Sequence, residues 1–143
     1  DFSRVSLYIT FEMLERLEIE GGVKLRTRGY IDVQDLDIQI EGGAKLDMKA
    51  KARAITIDSE GGVMFELEGI AESLGVKVSG AGHIDAAELE SRDVTFEIEG
   101  VGTGSVFATK TLDASINGVG KIKYRGNPEV TEHIDGLGSV QKD

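Results

Sequence analysis

The sequence contains no cysteine, no tryptophan and a single proline. Without cysteine there are no disulfides, no thiolate metal sites and no cysteine nucleophiles. No apolar run approaches the length of about 18 residues that a membrane-spanning helix needs. Apolar residues at the i, i+3, i+4 spacing of a helix are also missing, apart from one candidate turn near Phe11 to Leu17. These absences argue against an α-helical fold and against a direct membrane span.

Basic residues are outnumbered by acidic ones. The chain has 16 Lys and Arg against 26 Asp and Glu, which gives a net charge of −10. Such a surface repels the phosphate backbone of nucleic acids and anionic membranes unless a local basic patch overrides it, and the sequence shows no run of that kind. We therefore expect no nucleic-acid partner.

Glycine, by contrast, is abundant and regularly placed. The chain has 19 glycines in 143 residues, and residues 1–143 are predicted to form one domain by size. Seven glycines recur at spacings of 18 to 21 residues, a period typical of solenoids. These predicted corner glycines are Gly21, Gly42, Gly61, Gly80, Gly100, Gly118 and Gly136.

Apolar residues alternate on both sides of each corner glycine, as they do in a strand with one face turned inward. Positions are counted from the corner glycine as zero. At position −2 stand Ile19, Ile40, Ser59, Val78, Ile98, Ile116 and Ile134. At position +4 stand Leu25, Leu46, Phe65, Ile84, Gly104, Ile122 and Val140. Further inward columns are predicted at −6, −4 and +6.

A strand that turns at a glycine into a second strand, and then returns by a short third side, stacks as a parallel β-helix. We call one such turn a rung, and adjacent rungs lie about 4.8 Å apart. The sequence predicts an all-β parallel β-helix of six to seven rungs, each of 18 to 21 residues. The rod is expected to be about 30 Å long.

No motif for an enzyme site is complete. The Gly-x-Gly pairs lack the third glycine of a dinucleotide loop, and there is no phosphate loop and no Gly-x-Ser-x-Gly elbow. His83 and His133 fall on outward positions of different columns without a fixed partner, so both are interpreted as surface residues. The outward column at +5 has the residue types that a lyase or hydrolase site would need, because Asp47, Glu66 and Asp85 follow Arg26 on consecutive rungs. Salt bridges are the favoured interpretation of that column.

Two outward columns carry the candidate interaction residues. The column at −1, which we call the acidic column, reads Glu20, Glu41, Glu60, Ser79, Glu99, Asn117 and Asp135. Its glutamates on consecutive rungs repel one another or attract a cation such as Ca²⁺ weakly, with Lys24 and Lys45 nearby as compensating charges. No catalytic, cofactor or metal residue is assigned.

The column at +1 changes from glycine to larger apolar residues along the chain. It reads Gly22, Gly43, Gly62, Ala81, Val101, Val119 and Leu137. If these residues point outward, Val101, Val119 and Leu137 form an apolar strip that could contact a partner or another copy. If the corner turns them inward, they belong to the core. The alternation alone does not decide between the two.

The C-terminal third carries a motif that resembles a known family. The residues concerned are Leu112-x-Ala114-x-Ile116-Asn117-Gly118-Val119-Gly120-x-Ile122-x-Tyr124-x-Gly126-Asn127-Pro128-x-Val130 and Ile134-x-Gly136-x-Gly138-Ser139-Val140. They resemble the head GIN domain family of autotransporter adhesins of the Bacteroidetes. The upstream segments Val5-x-Leu7-Tyr8-Ile9-Thr10 and Leu14-x-x-Leu17-x-Ile19 resemble the same family.

The resemblance implies an exported, right-handed β-helix at the cell surface, at the outer membrane or in the periplasm. It also implies that relatives have an N-terminal segment that this chain lacks, and it brings no catalytic residues. We therefore expect a non-enzymatic, adhesin-like module that binds a carbohydrate or protein partner through a face of the solenoid. The alternatives are a polysaccharide lyase or hydrolase on a β-helix scaffold, and a structural solenoid that self-associates through its ends.

Overall fold

The protein is a β-solenoid of about six turns in a computed structural model that describes residues 3–5, 12–20 and 22–143. Its strands are β1 (Ser3–Val5), β2 (Glu12–Glu20), β3 (Val23–Glu41), β4 (Ala44–Arg125) and β5 (Glu129–Lys142). The pairings among the described strands are parallel, in the order β1-β3-β4-β5, with β2 also paired to β3. The predicted parallel β-helix is confirmed. Where a helical turn was a candidate, β2 covers Glu12–Glu20 as a strand.

Three sequence predictions fall outside the described residues. These are the corner glycine Gly21, the family-like residues Leu7 to Thr10, and the side chains of Leu17 at −4 and Thr27 at +6.

The rungs stack in the register that the glycine count predicts. Ile19 pairs with Ile40, Leu25 with Leu46, and Ile116 with Ile134. The strands continue through most corners without a break, which is why β4 extends over 82 residues. An interruption follows at Gly126, Asn127 and Pro128, between β4 and β5. Proline has no N–H to donate to a strand ladder, so the chain's single proline marks this break.

Inward columns form one continuous core. The buried residues at −2 and −4 include Ile38, Ile40, Ile57, Val78, Phe96 and Ile98. Those at +4 and +6 include Leu25, Leu46, Met48, Phe65, Leu67 and Ile84. Ile134 belongs to the same column as Ile116 but is 39% exposed, because no described residue stacks over it.

The corners depend on glycine for a stereochemical reason. Gly61 has φ +100°, a region that residues with a Cβ rarely adopt, and a Cβ there would lie 2.9 Å from the carbonyl oxygen of Gly42. The corner glycines from Gly42 to Gly136 all have positive φ. A backbone hydrogen bond of 2.9 Å, donated by Gly42 N–H to the carbonyl of Glu60, joins two rungs at this corner.

Neighbouring glycines allow a matched test of this constraint. We expect Gly61→Ala to lower the free energy of unfolding by at least about 2 kcal/mol, because it combines strain in φ with a clash against Gly42. We expect Gly62→Ala to change it by no more than about 0.5 kcal/mol, because nothing lies within 4 Å of a Cβ at Gly62. Denaturant unfolding of both variants measures the difference. Equal losses in the two would contradict this account of the corner.

The core contains one orphaned polar group among the residues described. The Ser59 side chain is fully buried at a −2 position beside Ile40, and its hydroxyl has no hydrogen-bond partner. An unpaired buried hydroxyl costs about 1 kcal/mol or more. We expect Ser59→Ala to raise the free energy of unfolding by about 1 kcal/mol, and Ser79→Ala, at a half-buried outward position, to leave it unchanged. A loss of stability in Ser59→Ala would show that the hydroxyl has a partner in solution.

Candidate functional site

The acidic column forms a ladder over the first rungs. Strand pairing sets Glu20 beside Glu41 and Glu41 beside Glu60, and all three side chains are exposed. Lys24 and Lys45, expected as compensating charges, form no ion pair with them in the described part of the chain. Glu99 differs, because its carboxylate lies 4.0 Å from Lys77 Nζ. Among the residues that the structure describes, Glu20, Glu41 and Glu60 are thus a set of like charges without ion-pair partners.

The described residues contain no group of three or more His, Asp or Glu side chains arranged to hold a metal ion. Glutamates on parallel, neighbouring rungs project side by side into solvent, whereas Ca²⁺ needs six or more converging oxygens. Any attraction of cations by the acidic column is therefore diffuse in character.

The +1 column lies on the surface and not in the core, because its described members are all exposed. Val101 is 58% exposed, Val119 49% and Leu137 75%. Val119 and Leu137 are in direct register on adjacent rungs. These three residues form an exposed apolar strip on the face that follows the corner, and we refer to them as the apolar strip.

An open cavity of about 510 Å³ lies on the same face at the earlier rungs. Its floor includes Gly22, Gly43 and Gly62, and Lys45, Met64 and His83 are among the residues that line it. We call this cavity the glycine groove. It meets a second cavity of about 420 Å³ at Ala81 and Gly82, and the second cavity continues beside Val101 and Val119.

The sequence identified the +1 column as a candidate contact surface but did not predict the groove. The feature that could have indicated it is the pair of adjacent glycines at the earlier corners. Gly42 and Gly61 have positive φ, whereas Gly43 and Gly62 have ordinary φ and open space around them. The letters Gly-Gly do not distinguish these two roles.

The +5 column contains salt bridging as predicted. Arg26 Nε lies 3.8 Å from an Asp47 carboxylate oxygen, and Asp85 accepts a hydrogen bond of 3.2 Å from the backbone N–H of Ala87. Arg26, Asp47 and Glu66 also line a cleft of about 380 Å³ next to the glycine groove. Asp47 and Asp85 of this column thus each have one polar partner.

Both histidines are exposed. His83 is hydrogen-bonded through Nδ1 to the Thr103 hydroxyl of the next rung, a partner that the sequence did not reveal. The pair adds a polar edge to the groove.

The acidic column can be tested through its salt dependence. Glu41 lies between Glu20 and Glu60, so we expect Glu41→Gln to raise the free energy of unfolding by about 0.5 kcal/mol at low ionic strength. The gain should fade in high salt, where screening acts over about 3 Å. Glu99→Gln is the control. It should lower the free energy of unfolding slightly, because it removes the ion pair with Lys77. If Glu41→Gln lowered the free energy of unfolding only when calcium is present, that result would indicate a bound cation instead.

No helix among the described residues has the length and apolar character needed to cross a bilayer.

Comparisons with known proteins agree with this architecture. A solved structure from Bacteroides fragilis, described as a "putative adhesin", matches with a TM-score of 0.83 and 27% identity over 90% of this chain and 60% of its own. One from Parabacteroides distasonis, described as a "putative lipid binding protein", matches with a TM-score of 0.85 and 26% identity over 99% of this chain and 58% of its own. The chain thus spans about three fifths of both relatives. No curated protein matches it.

The family model described as "Putative auto-transporter adhesin, head GIN domain" matches residues 1–128, which is most of the chain. Its fold, its repeat and this match agree, and the chain belongs to the head GIN domain family.

Proposed function

We propose that this domain is a non-enzymatic, adhesin-like binding module of the cell surface or envelope. It recognises a carbohydrate or protein partner through the face that follows the corner glycines. The observation that carries the proposal is the apolar strip, because Val101, Val119 and Leu137 are 49% to 75% exposed on consecutive rungs of a chain whose net charge is −10. Contiguous exposed apolar surface of this kind is typical of interaction sites.

Membership of an adhesin family supports the proposal, as does the description of the Bacteroides relative. In the +5 column the ion pair of Arg26 with Asp47 and the hydrogen bond that Asp85 accepts from Ala87 favour a structural role for these side chains over a catalytic one.

A lipid ligand is a second candidate. The Parabacteroides relative is described as lipid-binding, and the glycine groove is an observation on this chain that favours such a ligand. Its lining is dominated by glycine, alanine and methionine.

The proposal is tested by screening the purified domain against glycan and surface-protein arrays. We expect Val119→Lys to weaken binding of the partner found there at least tenfold, because a charge at the centre of an apolar contact must be desolvated. Thr95→Lys, the same change of charge at an exposed position before the corner, should leave binding unchanged.

Two further measurements separate the alternatives. Cleavage of polyuronates by the same preparation, with no binding on either array, would replace the proposal with a polysaccharide lyase or hydrolase. Growth of the sedimentation coefficient with concentration, again without array binding, would favour self-association through the solenoid ends.

A further inference from the structure

The fold does not require glycine at the floor of the glycine groove. Gly43 and Gly62 have ordinary φ, and a Cβ built on either meets no atom within 4 Å. In the same column later rungs carry Ala81, Val101 and Val119. Glycine in a strand lowers stability relative to residues with side chains, so its use here leaves open space at a cost.

The space is bounded by an apolar side chain that the described residues leave exposed. Met64 lines the groove and is 56% exposed. Methionine is flexible and polarizable, and it packs against apolar ligands of varied shape. The volume of about 510 Å³ lies within the range of small-molecule sites, about 300 to 1,000 Å³.

The charge that lines the groove is opposite to the charge of the whole chain. Lys45 is the charged residue among the described lining residues of the glycine groove, and Lys121 is the one in the adjoining cavity. No described acid lines either cavity, although the net charge is −10. An anionic group is therefore the charged group that this groove accepts.

Lys45 is reinforced by a second cation. Lys24 is in register with Lys45 on the preceding rung and lines the adjoining cleft of about 380 Å³, whose acids are Asp47 and Glu66. Asp47 is paired with Arg26, and neither lysine has an ion-pair partner among the described residues. Two such charges about 4.8 Å apart in water repel by about 0.9 kcal/mol. An anion bound at both would relieve this repulsion.

The lining also limits what the rest of the occupant can be. Sugar hydroxyls and peptide amides need hydrogen-bond partners, whereas the floor consists of glycine backbone in a region where neighbouring rungs pair, as Ala44 does with Val23. A saturated chain needs no such partners. Glu41 and Glu60 lie across the corner glycines from the groove, so they repel an anion on that side and direct it towards the lysines.

We propose that the glycine groove binds a single-chain anionic amphiphile. Its aliphatic chain lies over Gly43 and Gly62 against Met64, and its carboxylate or phosphate head is held by Lys24 and Lys45. The proposal deepens the proposed function, since it rests on the same face being a binding surface, but it concerns the earlier rungs and not the apolar strip.

The test uses two probes with the same chain and opposite heads, laurate and dodecyltrimethylammonium, titrated calorimetrically below their micelle concentrations. We expect the wild-type domain to prefer laurate at least tenfold. Lys45→Glu should abolish or reverse that preference, whereas Lys123→Glu, the same change at an exposed lysine outside the groove, should preserve it.

A second variant fills the space. Gly62→Val reproduces the residue that the chain itself has at Val101 and Val119, and it should weaken laurate binding at least tenfold while its unfolding midpoint stays at or above that of the wild type. Wild-type affinity in Gly62→Val, or equal affinity of the wild type for both probes, would overturn the proposal. Retention on anionic vesicles without laurate binding would also overturn it, because a membrane surface would then be the occupant. Array binding that survives in Gly62→Val separates the two hypotheses, since only the strip is needed for that partner.

Discussion

Every feature of this molecule depends on the close stacking of corner backbones. The described corner glycines, from Gly42 to Gly136, adopt a φ that other residues avoid. From Gly61 onward the preceding corner lies so close that a Cβ would come within 2.2 to 3.2 Å of its backbone. Because the corners stack directly, each strand is held in one register with its neighbours. Register in turn decides which side chains point inward, since a slip of one residue would exchange the two faces. The core is thus a consequence of the corners as much as of its apolar residues.

This dependence explains how much of the fold could be predicted. A period of two and a glycine at a fixed interval are both visible in the sequence, so the columns at −2 and +4 were assigned correctly. Gly104 is a position that the repeat pattern does not explain. It occupies an inward position that holds Leu, Ile, Phe or Val on other rungs, and a Cβ there would collide with the ring of Phe96. The large side chain of Phe96 at −4 fills the space that Gly104 leaves at +4. Such a complementary pair is visible only when two columns are compared in three dimensions.

The candidate site was less predictable for a related reason. At a corner the chain changes direction, so the alternation that identifies inward and outward positions loses its phase, and the +1 column could not be assigned. Gly42 and Gly43 are adjacent and identical in the sequence, yet one is required by backbone geometry and the other is not. Only φ and the surrounding space distinguish them. The basic character of the groove was not predicted either, because Lys24 and Lys45 were interpreted only as compensating charges for the acidic column, whereas the structure stacks them in register beside the groove.

The solenoid separates what specifies the fold from what specifies binding. Inward columns and corner glycines are tightly constrained, whereas a residue of an outward column meets mainly solvent and the same column on the next rung. Interactions between such exposed neighbours amount to less than about 1 kcal/mol, so the outward columns can carry unfavourable arrangements such as the stacked glutamates and the stacked lysines at little cost to stability. The corner face uses this freedom in two ways, with glycine and lysine at the earlier rungs and valine and leucine at the later ones. A single face can therefore present two different chemistries, because each rung contributes its outward residues independently of the core that holds it in place.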